Sequence, residues 1–222
     1  MLLELTDECI AAAQGTLPDA QDGARRTAIT VFKNLFIERW FARAHWVTPL
    51  IWFGPVIALG IARGLSHQLG ALRMAQLFIL GFVVWTLTEY LLHRFLFHAE
   101  FPGPQGAIRH FLLHGYHHVF PSDPMRLVAP PIMSWGPALL FAAAYFLIFG
   151  AAQFATVLAG TVTGYLAYDW IHYYTHHGRP RWALGKFLRK YHMLHHFKSP
   201  QKFYGVSSPL WDQLLGTGRS RS

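Results

Sequence analysis

The sequence predicts an all-α integral membrane protein with four transmembrane helices and a cytosolic helical cap that holds a histidine-rich dinuclear metal site. Hydrophobic residues make up 53% of the 222 residues and charged residues 14%, whereas a soluble domain has about 25% charged residues. The apolar residues are gathered in long segments with almost no charge, and most histidines lie just outside those segments. These observations favour membrane helices with polar chemistry at their ends.

The predicted spans cover about 46–62, 74–92, 127–148 and 152–170. The first is uncharged, and the second has Glu89 as its only charge. The last two come from a run of 42 residues, 127–168, without charge or histidine, long enough for two crossings of about 20 residues each. Gly150 and Gln153 interrupt its aliphatic pattern and predict the join there. A buried hairpin of a soluble protein is the alternative, but such helices usually have a polar face.

The basic residues predict the orientation. The net charge is +8, with five Lys/Arg in 25–43, three in 93–126 and nine after the fourth span. Because Lys and Arg favour the cytoplasmic side, both termini and the histidine-rich segments are expected there, which an even number of spans allows. The basic tail is expected to face anionic lipid headgroups, and no nucleic-acid partner is predicted.

Two regions are predicted. Residues 1–44 form an N-terminal cytosolic or peripheral segment that includes a flexible or peripheral lead-in at 14–28. Residues 45–222 form the membrane domain, whose metal-binding cap comprises 93–126 and 171–217.

The N-terminus has acidic residues where a secretory signal peptide has basic ones, so it is expected to stay on the mature protein. Cys9 is the only cysteine, which excludes cysteine-based zinc and iron–sulfur sites. The motifs H-E-x-x-H, G-x-S-x-G and the phosphate-binding loop are absent, which removes several hydrolase and nucleotide-dependent functions. Gly160 and Gly164 form a G-x-x-x-G pattern that predicts close helix packing.

The histidines form four groups that the predicted topology places at one membrane face. Twelve of the 14 lie between residues 93 and 196. His45 and His67 lie outside and are interpreted as ordinary interfacial side chains. The four groups are His93 and His98; His110, His114, His117 and His118; His172, His176 and His177; and His192, His195 and His196.

The spacing of these histidines indicates metal binding. "HGYHH" and "HMLHH" both read H-x-x-H-H, so on a helix two or three imidazoles can point to one place. His172 and His176 are four residues apart, which also suits one helix face. His93 and His98 are five apart, about 140° on an ideal helix, and therefore need a helix end, a kink or a π-bulge, or else serve two metals. About ten ligands exceed the four of a tetrahedral site and imply two ions. Imidazole suits Fe, Zn, Cu and Ni, so the ligands do not choose the metal.

Carboxylates near the histidines are candidates for supporting the ligands. A ligating imidazole normally donates its other N–H to a carboxylate or carbonyl, and Glu89, Asp123 and Asp169 lie within a few residues of the groups. Asp123 equally suits a turn cap before Pro124.

The motifs "HRFLFH", "HGYHHVFPSD", "YDWIHYYTHH" and "YHMLHHFKSPQKFYGVSSPLWDQLLGT", in this order, resemble the membrane fatty acid hydroxylase family, within the sterol desaturase and fatty acid hydroxylase superfamily. The resemblance covers roughly Leu91–Thr217 and is greatest to the fatty acid 2-hydroxylases of sphingolipid acyl chains.

This resemblance implies a di-iron centre that inserts one oxygen atom of O2 into a C–H bond, although zinc could occupy the same ligands in purified protein. It also implies that Tyr168 and Asp169 support the site, and it leaves His110 and His177 as supporting or neutral. The implied ligands are His93, His98, His114, His117, His118, His172, His176, His192, His195 and His196.

Eukaryotic members of the family often carry a fused cytochrome b5 domain with a His-Pro-Gly-Gly haem motif, which this chain does not contain. No haem is therefore expected in this chain. Electrons are expected from a separate carrier, cytochrome b5-like or ferredoxin-type, with the basic tail as a docking face.

The predicted function is hydroxylation of a long-chain acyl lipid at C-2. The alternatives within the superfamily are a carotenoid hydroxylase, a sterol methyl oxidase and a desaturase. A membrane metal transporter or sensor is a more distant alternative, because transporters place ionisable ligands near the bilayer midplane.

Overall fold

The computed structural model describes residues 3–18 and 28–219, so most of the predicted lead-in at 14–28 lies outside the described residues. The described chain is helical, with one isolated bridge between Leu5 and Phe32. Its elements are α1 Asp7–Ala13, α2 Leu35–Phe41, α3 Thr48–Ser66, α4 Ala71–Leu91, the π-helix π1 Leu92–Phe97, α5 Gly103–His110, the π-helix π2 Phe111–Gly115, α6 Tyr116–Val119, α7 Pro131–His177, α8 Ala183–Phe197 and α9 Leu210–Leu214.

Three helices of the described chain are long and apolar enough to cross a membrane: Thr48–Ser66, Ala71–Phe97 and Ile132–His177. The prediction of an all-α protein with apolar membrane-type helices is confirmed, while the four-span count stays a prediction. The helix ends differ from the predicted spans. α7 begins at Pro131, since proline is favoured in the first helical turn, and continues beyond residue 170 to His177. Residues 93–97 and 171–177, which were assigned to the cap, therefore continue the apolar helices.

The long helix α7 folds back on itself at Gly150. The backbone there has φ 70° and ψ 177°, a conformation that is essentially restricted to glycine. The hydroxyls of Ser134 and Tyr165 lie 2.9 Å apart, whereas a straight helix would separate residues 31 positions apart by about 46 Å. The segment is thus a hairpin with arms 131–149 and 151–177, and the join predicted near Gly150 is confirmed.

Close backbone contacts hold the second arm against α4. A Cβ atom on Gly160 would lie 2.0 Å from the carbonyl oxygen of Phe78, and one on Gly164 would lie 2.7 Å from Cβ of Trp85. The Thr161 hydroxyl donates to the Gly81 carbonyl over 3.0 Å. The predicted close packing at the G-x-x-x-G pattern is therefore confirmed, and it fastens the second arm to α4, the helix that π1 continues.

The N-terminal segment packs against the part of the chain that carries "HGYHH". Its buried side chains include Cys9, Ile29 and Val31, which form one hydrophobic cluster with Phe111 and Tyr116.

A buried ion pair fastens the same segment. Glu38 on α2 binds the Arg126 guanidinium and accepts hydrogen bonds from the backbone N–H groups of Val31 and Phe32, each over 3.1 Å. The segment therefore forms a wall behind π2 and α6.

Candidate metal centre

Ten imidazoles meet in two groups of five where the helices end. In each group the nitrogen atoms available as ligands all lie within 4.8 Å of one another. Group one contains His93, His98, His114, His118 and His195, and group two contains His117, His172, His176, His192 and His196. These are the ten histidines named above as implied ligands, and the structure brings all ten together.

The two H-x-x-H-H motifs each divide between the groups. His114 and His118 belong to group one, while His117, between them, belongs to group two. On α8 the assignment is reversed: His192 and His196 belong to group two, while His195, between them, belongs to group one. Residues i and i+4 of a helix differ by about 40° in direction, whereas i+3 and i+4 differ by about 100°. Two imidazoles of each motif therefore share one group, and the third points to the other.

A π-helix brings His93 and His98 into the same group. The backbone N–H of His98 donates to the His93 carbonyl over 3.2 Å, which is the i to i−5 bond of a π-helix. Their imidazoles reach His114 and His195, with Nε2–Nε2 distances of 3.0 Å each. Of the alternatives that the five-residue spacing left open, a helix end, a kink, a π-bulge or two separate metals, the structure has the π-helix. A second π-helix, Phe111–Gly115, was not predicted; it overlaps the start of "HGYHH" and contains His114.

The nitrogen spacing fits a metal ion in each group. Two nitrogens that are each about 2.1 Å from one ion and at right angles to one another are about 3 Å apart. The Nε2 atom of His118 is buried and has no hydrogen-bond partner among the described residues, as suits an atom that binds a metal. Facing Nε2 atoms in group two are separated by 3.0 Å for His117 and His172, 2.9 Å for His176 and His192, and 3.1 Å for His192 and His196.

Burial keeps these imidazoles neutral, which is the form that binds metals. Loss of solvent, followed by the nearby His195 ring, lowers the pKa of His98 to about 3 and that of His118 to about 2. Burial also lowers the pKa of His195 to about 4, although a hydrogen bond to the Lys202 carbonyl opposes the shift.

Backbone carbonyls of the loop between α8 and α9, residues 198–209, orient two ligands. The Nδ1–H group of His93 donates a hydrogen bond to the Tyr204 carbonyl over 2.5 Å, and that of His195 donates to the Lys202 carbonyl over 2.7 Å. These contacts leave Nε2 of both rings for the group. These two hydrogen bonds could not be predicted from the sequence, because every residue type has a backbone carbonyl.

Glu89 and Asp212 hold this loop rather than an imidazole. Glu89, one of the predicted supports for the ligands, accepts hydrogen bonds from the backbone N–H groups of Val206 and Ser207 over 2.7 and 2.8 Å, and from the Ser207 hydroxyl.

Asp212 was not predicted. It is fully buried and accepts from the N–H groups of Tyr204 and Gly205 over 2.9 and 2.7 Å and from the Thr217 hydroxyl over 2.6 Å. Its position in "LWDQLLGT", among apolar residues, was the available signal.

Asp123 forms a turn cap, the alternative that the sequence left open. It accepts from the Met125 N–H over 2.9 Å and from the Tyr116 hydroxyl over 2.7 Å. Asp169 is buried, and its Oδ2 atom has no hydrogen-bond partner among the described residues.

The remaining candidates lie around the two groups. The Tyr168 ring lies 5.7 Å from that of His172. His110 bonds to the Ala99 carbonyl over 3.2 Å, and the His177 ring contacts Tyr173; neither histidine belongs to a group. His45 and His67 are exposed, as expected for interfacial residues.

The fold and the site define a helical protein of membrane type with two adjoining five-histidine groups. The family model for fatty acid hydroxylases matches residues 78–217, and the chain belongs to this family. It is 39% identical to a dihydroceramide fatty acyl 2-hydroxylase of Arabidopsis thaliana over 84% of this chain and 78% of the relative. It is 40% identical to the fatty acid 2-hydroxylase of Homo sapiens over 85% of this chain and 56% of the relative.

A solved structure shares the fold. The structure of full-length Scs7p, in which only the hydroxylase domain is visible, aligns with a TM-score of 0.78 and 34% identity over 83% of this chain and 70% of that chain. The predicted family resemblance is thus confirmed.

Proposed function

We propose that this protein is an integral membrane monooxygenase that hydroxylates C-2 of a long acyl chain in a fatty acid or sphingolipid, using two iron ions, O2 and electrons from a separate carrier. The observation that carries the proposal is the meeting of two five-histidine groups at the ends of apolar helices. The names of the relatives, dihydroceramide fatty acyl 2-hydroxylase and fatty acid 2-hydroxylase, support the position of hydroxylation.

The five histidines of group one would hold one iron ion and the five of group two the other. The chemistry that bound iron supplies is the use of O2, two electrons and two protons to place one oxygen atom in a C–H bond and release the other as water. The chain keeps its imidazoles neutral by burial and orients His93 and His195 through loop carbonyls. His192 and His195 are fully buried, which keeps bulk water from the reacting atoms.

An aromatic column leads from the apolar helices to group two. Ring centroids are 5.4 Å apart for Phe53 and Tyr165, 5.2 Å for Trp85 and Tyr165, 6.0 Å for Trp85 and Tyr168, and 5.7 Å for Tyr168 and His172. An acyl chain entering sideways from the bilayer would lie along such an apolar wall. Tyr168 and Asp169 would then support the site from its membrane side.

The proposed topology has four spans, with both termini and the metal centre in the cytoplasm. The hairpin at Gly150 supports the even count, and the Lys/Arg distribution supports the orientation. Residues 1–44 would be the peripheral segment and 45–222 the membrane domain. The electron donor would be a cytochrome b5-like or ferredoxin-type protein in the cytoplasm.

The test is turnover by purified protein loaded with iron under anaerobic conditions. Addition of 18O2, a chemical reductant and a long-chain ceramide or fatty acid should yield the 2-hydroxy product with one 18O atom, detected by mass spectrometry. Zinc competes with ferrous iron for nitrogen ligands, so zinc-loaded protein is the matched inactive control. A product hydroxylated elsewhere, or a desaturated one, from the iron-loaded protein would refute the proposal.

A further inference from the structure

A basic depression lies beside the end of α7, on the exposed side of α8. It has a volume of about 490 Å³ and is called the basic pocket below; its lining residues are Arg179, Pro180, Lys186, Arg189, Lys190 and Met193. None of these residues belongs to the two histidine groups. The basic pocket is therefore separate from the metal centre, although α8 contributes to both.

The cations of the basic pocket lack carboxylate partners in the part of the chain that the structure describes. Ion pairs there involve Lys33 and Arg126, and residues 170–211 contain seven Lys/Arg and no Asp or Glu. Arg189 donates to the Gly178 carbonyl, which holds its guanidinium near the end of α7. Four neighbouring positive charges without a counter-ion attract an anion into the depression.

Large apolar side chains lie exposed next to these charges. Trp182 is 83% exposed, Leu184 68% and Phe187 44%. Leu184 and Phe187 share one face of α8, and Lys186 and Lys190 share another, while a third face is buried and carries the histidines. Exposed Trp, Leu and Phe beside Lys and Arg are typical of a helix that lies in the membrane interface.

The position along the chain agrees with the interface. Arg179 follows shortly after His177, the last residue of α7, and α7 is apolar enough to cross a bilayer. Basic residues next to the end of a spanning helix lie at the level of the lipid headgroups.

We propose that the basic pocket binds the phosphate of an anionic phospholipid headgroup, while Trp182, Leu184 and Phe187 enter the adjoining lipid. The phosphate oxygens would accept charge-assisted hydrogen bonds from the guanidinium and ammonium groups. A soluble acidic protein suits the charges but leaves the three apolar side chains in water, so the lipid is favoured. The inference does not depend on the proposed function.

The test uses the full chain in detergent with brominated lipids, which quench nearby tryptophan. The fluorescence of Trp182 is obtained as the difference between the tryptophan emission of the wild type and that of Trp182→Phe. Brominated phosphatidylglycerol should quench this contribution at a concentration at least tenfold lower than brominated phosphatidylcholine. The double variant Lys186→Gln/Lys190→Gln should lose this preference.

The matched control is Arg39→Gln/Arg43→Gln, which removes the same charge from exposed residues of α2 and its C-terminal end and should keep the preference. Equal loss of the lipid preference in both double variants would show that net charge causes the preference, and it would overturn binding in the basic pocket. Full displacement of the lipid by millimolar inorganic phosphate would assign the pocket to free phosphate. The lipid would be overturned as the ligand by a third result. In that result the wild type does not distinguish the two lipids, and Lys186→Gln/Lys190→Gln instead loses affinity for an acidic electron carrier.

Discussion

The imidazole rings of His118 and His196 stack with centroids 4.2 Å apart and planes inclined by 20°, although the two residues belong to different five-histidine groups. His118 comes from α6 and His196 from α8. The stack makes the two groups neighbours with a shared wall. Two metal ions held by the two groups would therefore be neighbours in one buried centre.

Replacing His117 or His195 by alanine should reduce hydroxylation by at least 100-fold, because each change removes one of five nitrogen ligands from a group. Product yield from iron-loaded protein is the measurement, and the amount of protein in the membrane fraction should not change. His110→Ala is the matched control, since its ring bonds to the Ala99 carbonyl outside the groups, and it should keep most activity. Wild-type turnover by His117→Ala or His195→Ala would refute the ligand role.

Glu89→Gln should weaken metal binding by about 10–100-fold, the usual effect of disturbing groups behind a metal ligand. The carboxylate holds Val206 and Ser207, and the loop they belong to presents the Tyr204 carbonyl to His93. Metal retention during titration with a chelator is the measurement.

Glu100→Gln, at an exposed position after π1, should match the wild type in this titration. If Glu89→Gln and Glu100→Gln retain metal equally, the loop does not orient the ligand.

Gly150→Ala should lower the stability of the hairpin by about 1–3 kcal/mol, because alanine is strained at φ 70° and ψ 177°. In thermal unfolding this corresponds to a Tm lower by several degrees. Gly136→Ala in the first arm is the control. A Cβ atom there meets nothing within 4 Å and improves helix propensity, so its Tm should be unchanged or higher. Equal Tm values for the two variants would argue against the turn at Gly150.

Cys9 should react slowly with iodoacetamide in the folded protein at pH 8. Burial raises the pKa of its thiol from 9.0 to about 11, so the fraction of reactive thiolate at pH 8 falls about 100-fold. Because the thiolate fraction of a group below its pKa rises about tenfold per pH unit, the rate should increase steadily from pH 8 and level off only near pH 11. A rate at pH 8 equal to that of the denatured chain would contradict this packing.

Glu38→Gln should release the N-terminal segment and speed the alkylation of Cys9 at pH 8 at least tenfold. The change removes the carboxylate that binds the buried Arg126 guanidinium and leaves Asp123, 3.7 Å away, as its remaining carboxylate partner; removing one partner of a buried ion pair typically costs about 3–5 kcal/mol. Glu4→Gln is the control, because the Glu4–Lys33 pair is exposed and such pairs contribute little. Equal alkylation of the two variants would show that the ion pair does not fasten the segment.

The sequence was sufficient for features that depend on local pattern. The turn at Gly150 follows from a break in the aliphatic run. The five-residue spacing of His93 and His98 left a helix end, a kink, a π-bulge or two separate metals, of which the structure has the π-helix. The prediction of membrane-type helices follows from uncharged segments that are long enough to cross a bilayer. The four-residue spacing of His172 and His176 predicted one helix face, and α7 continues through both residues to His177.

The contacts of the carboxylates could not be predicted in the same way. Glu89 lies four residues before His93, and this spacing suggested a direct contact. The structure instead pairs Glu89 with the backbone of Val206 and Ser207, 117 and 118 residues away. Asp212 likewise holds the backbone of Tyr204 and Gly205. Such contacts depend on how the chain returns in space, which residue spacing does not record.

The number of iron ions bound per chain shows whether each five-histidine group holds an ion of its own. Iron measured by plasma mass spectrometry after removal of free metal should be two ions per chain in the wild type and about one in His93→Ala or His176→Ala, because each variant disables one group. The exposed His45→Ala should keep two. One ion per chain in the wild type, or no loss of iron in either variant, would contradict two separate five-histidine metal sites.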